Sequence, residues 1–564
     1  MGLPVLAVGF LLWIGIGYRF YSRFIARQYR LDDKVATPAC EMNDGVDYVP
    51  TNPFYLLGQH FSAIAAAGPI AGPILAGQMW GWFPSLLWIG LGVVFIGAVH
   101  DFSSLVASVR HRARSIAEIV RIYLGHRGWV ALMLFIWLAL IYVIVAFTDI
   151  TASTFVGKTE EFEGGVFTFN PGGAVAAAST MYLLLAVVMG LVQKRFDPPL
   201  WLQTIIFVPA TLGVVWLGTR ISTLLILDVK TWGVLILLYC FVASLLPMWL
   251  LLQPRGYLGG FVLYMALAVG LIGIFFGGFS IQQEAFKTWR APGMTGALFP
   301  FLFVTIACGA VSGFHGLVCS GTTSKQIAKE PHCRPVGYGA MLGEGFVAFI
   351  SLATVMIVAQ SELKGLAPGK IYGDGIGRFL AVLIGKEHLR FAMTFGAMAF
   401  STFVFDTLDV STRLGRYIVQ ELFNWSGRKA AALATAITIA PPLFLIVTAG
   451  EGAYRLFWTL FGTSNQLLAA LTLLGITVWL KKSGRPTWFI LLPMLFVMTM
   501  TIWSFLIQAR GAFEAVFREG LAFNTVLVNG IVSVALLLLA ATLIVEAIQS
   551  LTRPTVPAAG APAA

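Results

Sequence analysis

The sequence predicts an all-α polytopic membrane protein of about fifteen transmembrane helices, with an inverted repeat and two discontinuous core helices. Three observations lead there. Of 564 residues, 58% are hydrophobic and only 11% are charged, against about 25% charged in soluble chains. So little ionic surface cannot cover a globule of this size, and the mean hydropathy of +0.84 agrees. The apolar residues are gathered into runs of membrane-crossing length, separated by short charged islands. Two of those runs are interrupted by glycine, proline and polar residues, which in lipid requires something to satisfy the freed backbone.

Crossing about 30 Å of hydrocarbon takes about 20 mostly apolar residues. Such runs lie near residues 3–21, 61–77, 82–100, 128–148, 173–193, 200–218, 231–252, 257–279, 299–320, 338–361, 389–409, 431–449, 455–480, 487–508 and 525–548. The first has no Lys or Arg before it, and Arg19, Arg23, Arg27 and Arg30 follow it. A cleaved leader carries its positive charge in front, so this run reads as a retained span. The run at 61–77 is short and rich in Gly and Pro, and 375–385 (GIGRFLAVLIG) reads as an interfacial segment or part of a re-entrant loop.

Charge orients these spans. With the N-terminus outside and the C-terminus cytoplasmic, the inner loops and tail hold 24 of the 37 Lys and Arg, as the positive-inside rule expects. The net charge of +11 is then a topology signal. Nucleic-acid binding would need a solvated basic face, and no such partner is expected. An external loop, 149–172, carries Asp149, Glu160, Glu161 and Glu163 with Lys158 as its one base. Residues 1–550 read as a single transmembrane domain with a core at about 50–480 and additional helices at 487–548; 551–564 reads as a disordered tail. The five cysteines are dispersed, with no CxxC pair, and form no disulfide framework.

The candidate solute and ion pathway begins at the first interrupted run. His60 opens it, and Gly68-Pro69 and Gly72-Pro73 follow four residues apart. Each proline removes an amide donor, so the segment reads as a discontinuous helix beside a polar cavity, its carbonyls available to an ion or substrate. A kinked packing helix is the plainer alternative. The second interrupted run, TIACGAVSGFHGLVCSGTTSK, carries Ser312, Gly313, His315, Ser320, Gly321, Thr322 and Thr323. His315 at membrane depth reads either as a proton carrier or as a structural histidine bonded to a carbonyl. The two runs start an odd number of spans apart and are therefore antiparallel. Both a five-plus-five repeat (spans 2–6 and 9–13, with 7–8 inserted) and a seven-plus-seven repeat satisfy this.

Coupling and gating candidates are the acids within spans. Glu344 in GYGAMLGEGF has no local base, and a desolvated carboxylate can carry a proton. Asp406 and Asp409 sit near the inner end of span 11; Asp409 reads either as a gate or as the structural ion-pair partner of Arg413, one helical turn on. His100-Asp101 reads as an anchor for an inner helix end. Asn465 and Gln466 offer donors and acceptors to neighbouring helices or to a cavity. There is no HExxH, GxxxxGK[ST] or GxSxG motif, so no catalytic residue, metal site or cofactor is expected, and the chain does not read as an enzyme.

The stretches QHFSAIAAAGPIAGPILAGQMWG, GAVHDFSSLVASVRHRARSIAEI, TIACGAVSGFHGLVCSGTTSKQIAKE, GYGAMLGEGFVAF, DTLDVSTRLGRYIVQELF and LFGTSNQLLAAL occur in order from about residue 50 to 480. In these the chain resembles the carbon starvation protein A (CstA) family of bacterial inner-membrane transporters. The resemblance implies a secondary transporter related to the amino-acid/polyamine/organocation superfamily that imports small carbon sources, peptides or pyruvate. It also implies a small cytoplasmic accessory protein. In a five-plus-five fold of that type, Ser401 and Thr402 would lie against the first broken helix, where a sodium ion or a substituting positive group commonly sits. Proton and sodium coupling are both open at this point. An ungated facilitator is the first alternative, recognised by gradient-independent flux. A membrane-embedded metal-dependent enzyme or sensor using His315 and Cys319 is the second.

Overall fold

The computed structural model describes residues 2–552 apart from 46, 163–166, 294, 364, 450–452 and 520–524. Glu163 and the tail from 553 onward lie outside the described residues. Eighteen helices carry the architecture: α1 (Leu3–Tyr29), α2 (Pro53–Ile64), α3 (Gly68–Trp80), α4 (Trp82–Arg110), α5 (Ile116–Thr154), α6 (Pro171–Phe196), α7 (Leu200–Arg220), α8 (Val229–Leu245) and α9 (Leu252–Phe276) in the first half. The second half contributes α10 (Leu298–Thr305), α11 (Gly313–Gly321), α12 (Glu330–Met356), α13 (Pro368–Ile384), α14 (Lys386–Leu422), α15 (Arg428–Thr448), α16 (Tyr454–Lys482), α17 (Trp488–Glu519) and α18 (Thr525–Thr552). A short antiparallel hairpin, β1 (Glu160–Phe162) and β2 (Phe167–Phe169), joins α5 to α6.

Local sequence sets the helix starts. Asn52 accepts a hydrogen bond from Phe54 N ahead of Pro53, and Asn170 accepts one from Gly173 N ahead of Pro171. Ser115 accepts from Glu118 N, and Asp228 from Thr231 N. Each satisfies an amide that the first turn leaves free. At Gly125 the φ of +80° bends the long helix α5, so residues 116–124 form its own entry turn rather than the loop expected there.

Among the described residues, twelve helices are long and apolar enough to cross a membrane singly. The three remaining expected runs are the bent pair α2/α3, the short α8, and the interrupted pair α10/α11. Hydrogen bonds between loops sort into two faces that fit fifteen crossings. On one face Thr51 bridges Ile327 and Arg485 reaches Tyr29 O; on the other, Phe83 N bonds Ala285 O and Gln282 N bonds Met356 O. Residues 375–385 fall in α13, which runs antiparallel along the first part of α14, with Gly369 beside Phe400 and Gly377 beside Met393.

The packing partners reveal the repeat. α2/α3 pack on α12, as α10/α11 pack on α4; α5 packs on α16, as α14 packs on α9; α5 meets α15, as α14 meets α6; α16 meets α10/α11, as α9 meets α2. The relation pairs α2/α3, α4, α5, α6 and α9 with α10/α11, α12, α14, α15 and α16. This is a five-plus-five arrangement, and it corrects the expected boundaries in one respect: α7 and α8 are the inserted pair, while α9 holds the fifth place. The interior lies at the crossing of these helices. The most apolar window of α16 is 94% buried, and that of peripheral α18 only 28%.

Candidate functional site

The two broken helices meet at their breaks. Between α2 and α3 the chain bends by 50° over Ala65–Ala67. Pro69 falls in the first turn of α3, where a missing N–H costs nothing, so Gly68-Pro69 starts a helix rather than interrupting one. Pro73 sits inside α3. The glycines serve close approach instead of a cavity. A Cβ on Gly68 would collide with the Cys308 side chain, and one on Gly72 would lie 2.6 Å from Thr305 O. The second break spans Ile306 to Ser312.

Three carbonyls at this break are held by side chains of neighbouring helices. Trp88 Nε1 donates to Phe303 O (3.2 Å) and Ile306 O (3.1 Å). Gln466 Nε2 donates to Phe303 O (2.9 Å), and Trp458 Nε1 to Thr305 O (3.0 Å). On the far side of the break Asn465 Oδ1 accepts from Phe314 N (2.9 Å), capping α11, and its Nδ2 donates to Ser312 Oγ (3.1 Å). Gly313 lets the backbone at Asn465 come this close. Asn465 and Gln466 therefore do face the broken helix, as fasteners of its unwound backbone.

Beside the breaks lies a buried polar chain. His315 Nδ1 on α11 hydrogen-bonds Asp101 Oδ2 on α4 at 2.9 Å, and its Nε2 lies 3.1 Å from Glu344 Oε2 on α12. His100 Nδ1 holds the other Asp101 oxygen at 2.8 Å. All four side chains are at most 1% exposed. His60 on α2 joins from the other broken helix, with Nδ1 2.9 Å from Thr323 Oγ1 and Nε2 3.8 Å from Cys319 Sγ. The thiol in turn donates to Asp101 O. A neutral imidazole offers one N–H and one lone pair, yet both nitrogens of His315 face carboxylates. A lone pair 3.1 Å from an ionised Glu344 would repel it. The approach is an ion-pair distance and not a hydrogen bond, since neither Glu344 oxygen has a hydrogen-bond partner, and one further proton, on the imidazole, on Glu344 or on Asp101, removes the repulsion. Glu344 lacks a base nearby in sequence but has one in space. His100 and Asp101 are interior members of this chain rather than anchors of a helix end.

A second ionic cluster sits between α9 and α14. Arg255, fully buried, lies 2.6 Å from Asp406 Oδ1 and 3.0 Å from Asp409 Oδ2. Tyr239 Oη on α8 donates to Asp409 Oδ2 at 2.8 Å, and Tyr182 on α6 donates to Arg255 O. Arg413 does not pair with Asp409: its guanidinium donates to Ala243 O and Leu246 O, both at 2.9 Å. The end of α8 draws it there, because the last carbonyls of a helix have no internal partner. Ser401 and Thr402 also depart from expectation. Ser401 Oγ meets Ser179 Oγ on α6 at 2.6 Å, and Thr402 packs beside Gly259 on α9. Because α9 takes the fifth place in the repeat, it stands between these hydroxyls and the first broken helix. Ser320 accepts from Ile116 N (3.2 Å) and so ties α11 to the start of α5, while Gly321 and Thr322 lie at the frayed end of α11. Asp149, expected in an outer loop, lies buried within α5.

Arg255 is the residue that sequence reading missed. It stands in LLQPRGY between two apolar runs and reads as an inner-loop base. The signal available was the pair of acids in α14 without an adequate local partner.

The family profile described as "Carbon starvation protein CstA" matches residues 1–374 and 363–504. The chain belongs to the CstA family. Among curated relatives, the peptide transporter CstA of Campylobacter jejuni is 34% identical over 87% of this chain and 78% of its own length. The Escherichia coli peptide transporter CstA is 32% identical over 86% and 78%. The pyruvate/proton symporter BtsT of Escherichia coli is 31% identical over 91% and 83%. Solved structures similar to this CstA-family chain include an Eremococcus coleocola manganese transporter (TM-score 0.44, 14% identity, 88% of this chain and 94% of that one) and MhsT with L-phenylalanine (TM-score 0.41, 14% identity, 86% and 98%). With its apolar helices and these relatives, this CstA-family chain is a multi-pass inner-membrane secondary transporter and not an enzyme.

Proposed function

We propose that this CstA-family chain is a proton-driven importer of small carboxylate-bearing carbon sources, either pyruvate-like acids or short peptides, working by alternating access for nutrient scavenging. The observation that carries it is His315, held between Asp101 and Glu344 beside the meeting point of two broken helices. Such a site gains or loses one proton with a change in helix contacts, which is what coupling requires. The half-helices α3 and α11 both begin at this depth, and helix N-termini favour an anionic group. The names of the relatives, a pyruvate/proton symporter and peptide transporters, agree with both halves of the reading. The N-terminus is assigned outside and the C-terminus inside from the loop charges.

Purified protein in proteoliposomes tests this with labelled pyruvate and labelled dialanine. An inward proton gradient should drive accumulation of at least one of them with no sodium present. Equal uptake without any gradient would make the protein a facilitator, and dependence on sodium alone would overturn the role given to His315.

A further inference from the structure

Away from the breaks, a small pocket opens between the end of α5, the start of α6, and helices α13 and α14. It lies on the face assigned outward. Its walls are apolar, with Phe169, Val175 and Met393 among them, and Lys370 and Asp374 line it from one side of α13. The hydroxyls of Thr154 and Thr394 already donate to carbonyls of their own helices, at 2.7 and 2.9 Å, leaving their lone pairs as acceptors only. Arg390 stands at the margin with its guanidinium 5.7 Å from the Phe169 ring.

Lys370 is the unusual member. It is half-buried in the first turn of α13, and among the described residues its ammonium makes no hydrogen bond and no ion pair within 4 Å. Its ammonium keeps contact with solvent, and burial of the rest of the side chain pulls Lys370 below the ordinary lysine value, with Asp374 opposing the shift. A mostly apolar pocket lined by one cation that no protein acceptor holds fits a small organic anion: the cation orients the carboxylate and the walls take the carbon chain.

We propose that this pocket is an outer antechamber that binds the carboxylate of the transported solute on Lys370 before it reaches the breaks. The proposal rests on the outward orientation and on the carboxylate substrate class proposed above, and its test separates the two. Lys370 can be acetylated with an amine-reactive ester in protein-bearing vesicles and the adduct measured by peptide mass spectrometry. Pyruvate, or dialanine, should slow acetylation of Lys370 several-fold while lactamide, which has no carboxylate, does not. Protection should persist in Glu344→Gln, whose change lies in the buried proton site. In uptake, Lys370→Met should raise KM about tenfold with the maximal rate and gradient dependence intact, and Lys370→Arg should restore KM.

The labelling arm decides even if wild-type protein transports neither probe, an outcome that would remove the functional reading alone. Unchanged acetylation with both acids, or equal protection by lactamide, would overturn the antechamber. So would an unchanged KM in Lys370→Met. Loss of protection in Glu344→Gln would also overturn it, showing that the acids act through the central site.

Discussion

Replacing Glu344 by Gln tests the proton site most directly. In the wild type, His315 Nε2 stands 3.1 Å from Glu344 Oε2 without a hydrogen bond to either carboxylate oxygen, and a bare lone pair and a bare carboxylate at that distance repel until one more proton enters the site. A glutamine amide is nearly the same size and carries its own N–H. It can face the imidazole lone pair while Nδ1–H still serves Asp101 at 2.9 Å. The contact then survives without an exchangeable proton, and a buried charge is removed rather than orphaned. The fold should keep its thermal midpoint within a few degrees.

Coupling should not survive. One co-transported proton stores about 1.4 kcal/mol per pH unit, a tenfold accumulation ratio. Wild-type vesicles under a one-unit inward gradient should therefore concentrate an electroneutrally carried monocarboxylate roughly tenfold, and Glu344→Gln vesicles roughly onefold. Exchange of internal for external labelled solute at equal pH should continue in both. Wild-type accumulation by the variant would refute the proton assignment. Loss of exchange together with loss of the folded state would make Glu344 a structural residue.

Three further outcomes follow from the geometry. Gly68→Ala should destabilise by about 1–3 kcal/mol through overpacking and be relieved by Cys308→Gly. Gly72→Ala meets a backbone oxygen, Thr305 O at 2.6 Å, and should find no such side-chain rescue in the same thermal assay. Trp88→Phe and Gln466→Leu each leave Phe303 O with one remaining donor. Each should cost about 1 kcal/mol, and the double variant more than their sum, because only then is a buried carbonyl orphaned; strict additivity would mean the two donors do not share that acceptor. Arg255→Met should cost about 3–5 kcal/mol by leaving Asp406 and Asp409 unpaired in the interior. Adding Asp406→Asn and Asp409→Asn should recover most of it, and a triple variant as unstable as the single one would show that Arg255 acts through packing.

Much of the fold was legible because lipid imposes a simple rule: apolar runs of a given length become helices that satisfy their own backbone. All fifteen expected runs correspond to helical segments, and the two interrupted runs are the two broken helices. What escaped depended on contacts between distant segments. Asp101 and Glu344 are 243 positions apart by their numbers, and only the crossing of α4, α11 and α12 brings both onto His315. The Asp409–Arg413 pairing followed helical spacing, but the open carbonyls of α8 attract Arg413 more effectively than an acid already paired with Arg255. The glycines at 68 and 72 announced an irregular backbone correctly and its purpose wrongly, since close contact and an open cavity make the same demand for a missing Cβ.

The inserted pair α7 and α8 has an energetic consequence. In a perfect inverted repeat, exchanging the conformations of the two halves converts an inward-open shape into an outward-open one, so the two end states are degenerate. Here α8 is fastened to α14 through Arg413, Arg416 and Tyr239, and the second half contains no counterpart of that pair among the described residues. An imbalance of about 1.4 kcal/mol from such a pair would set a tenfold resting preference for one side of the membrane before any gradient is applied.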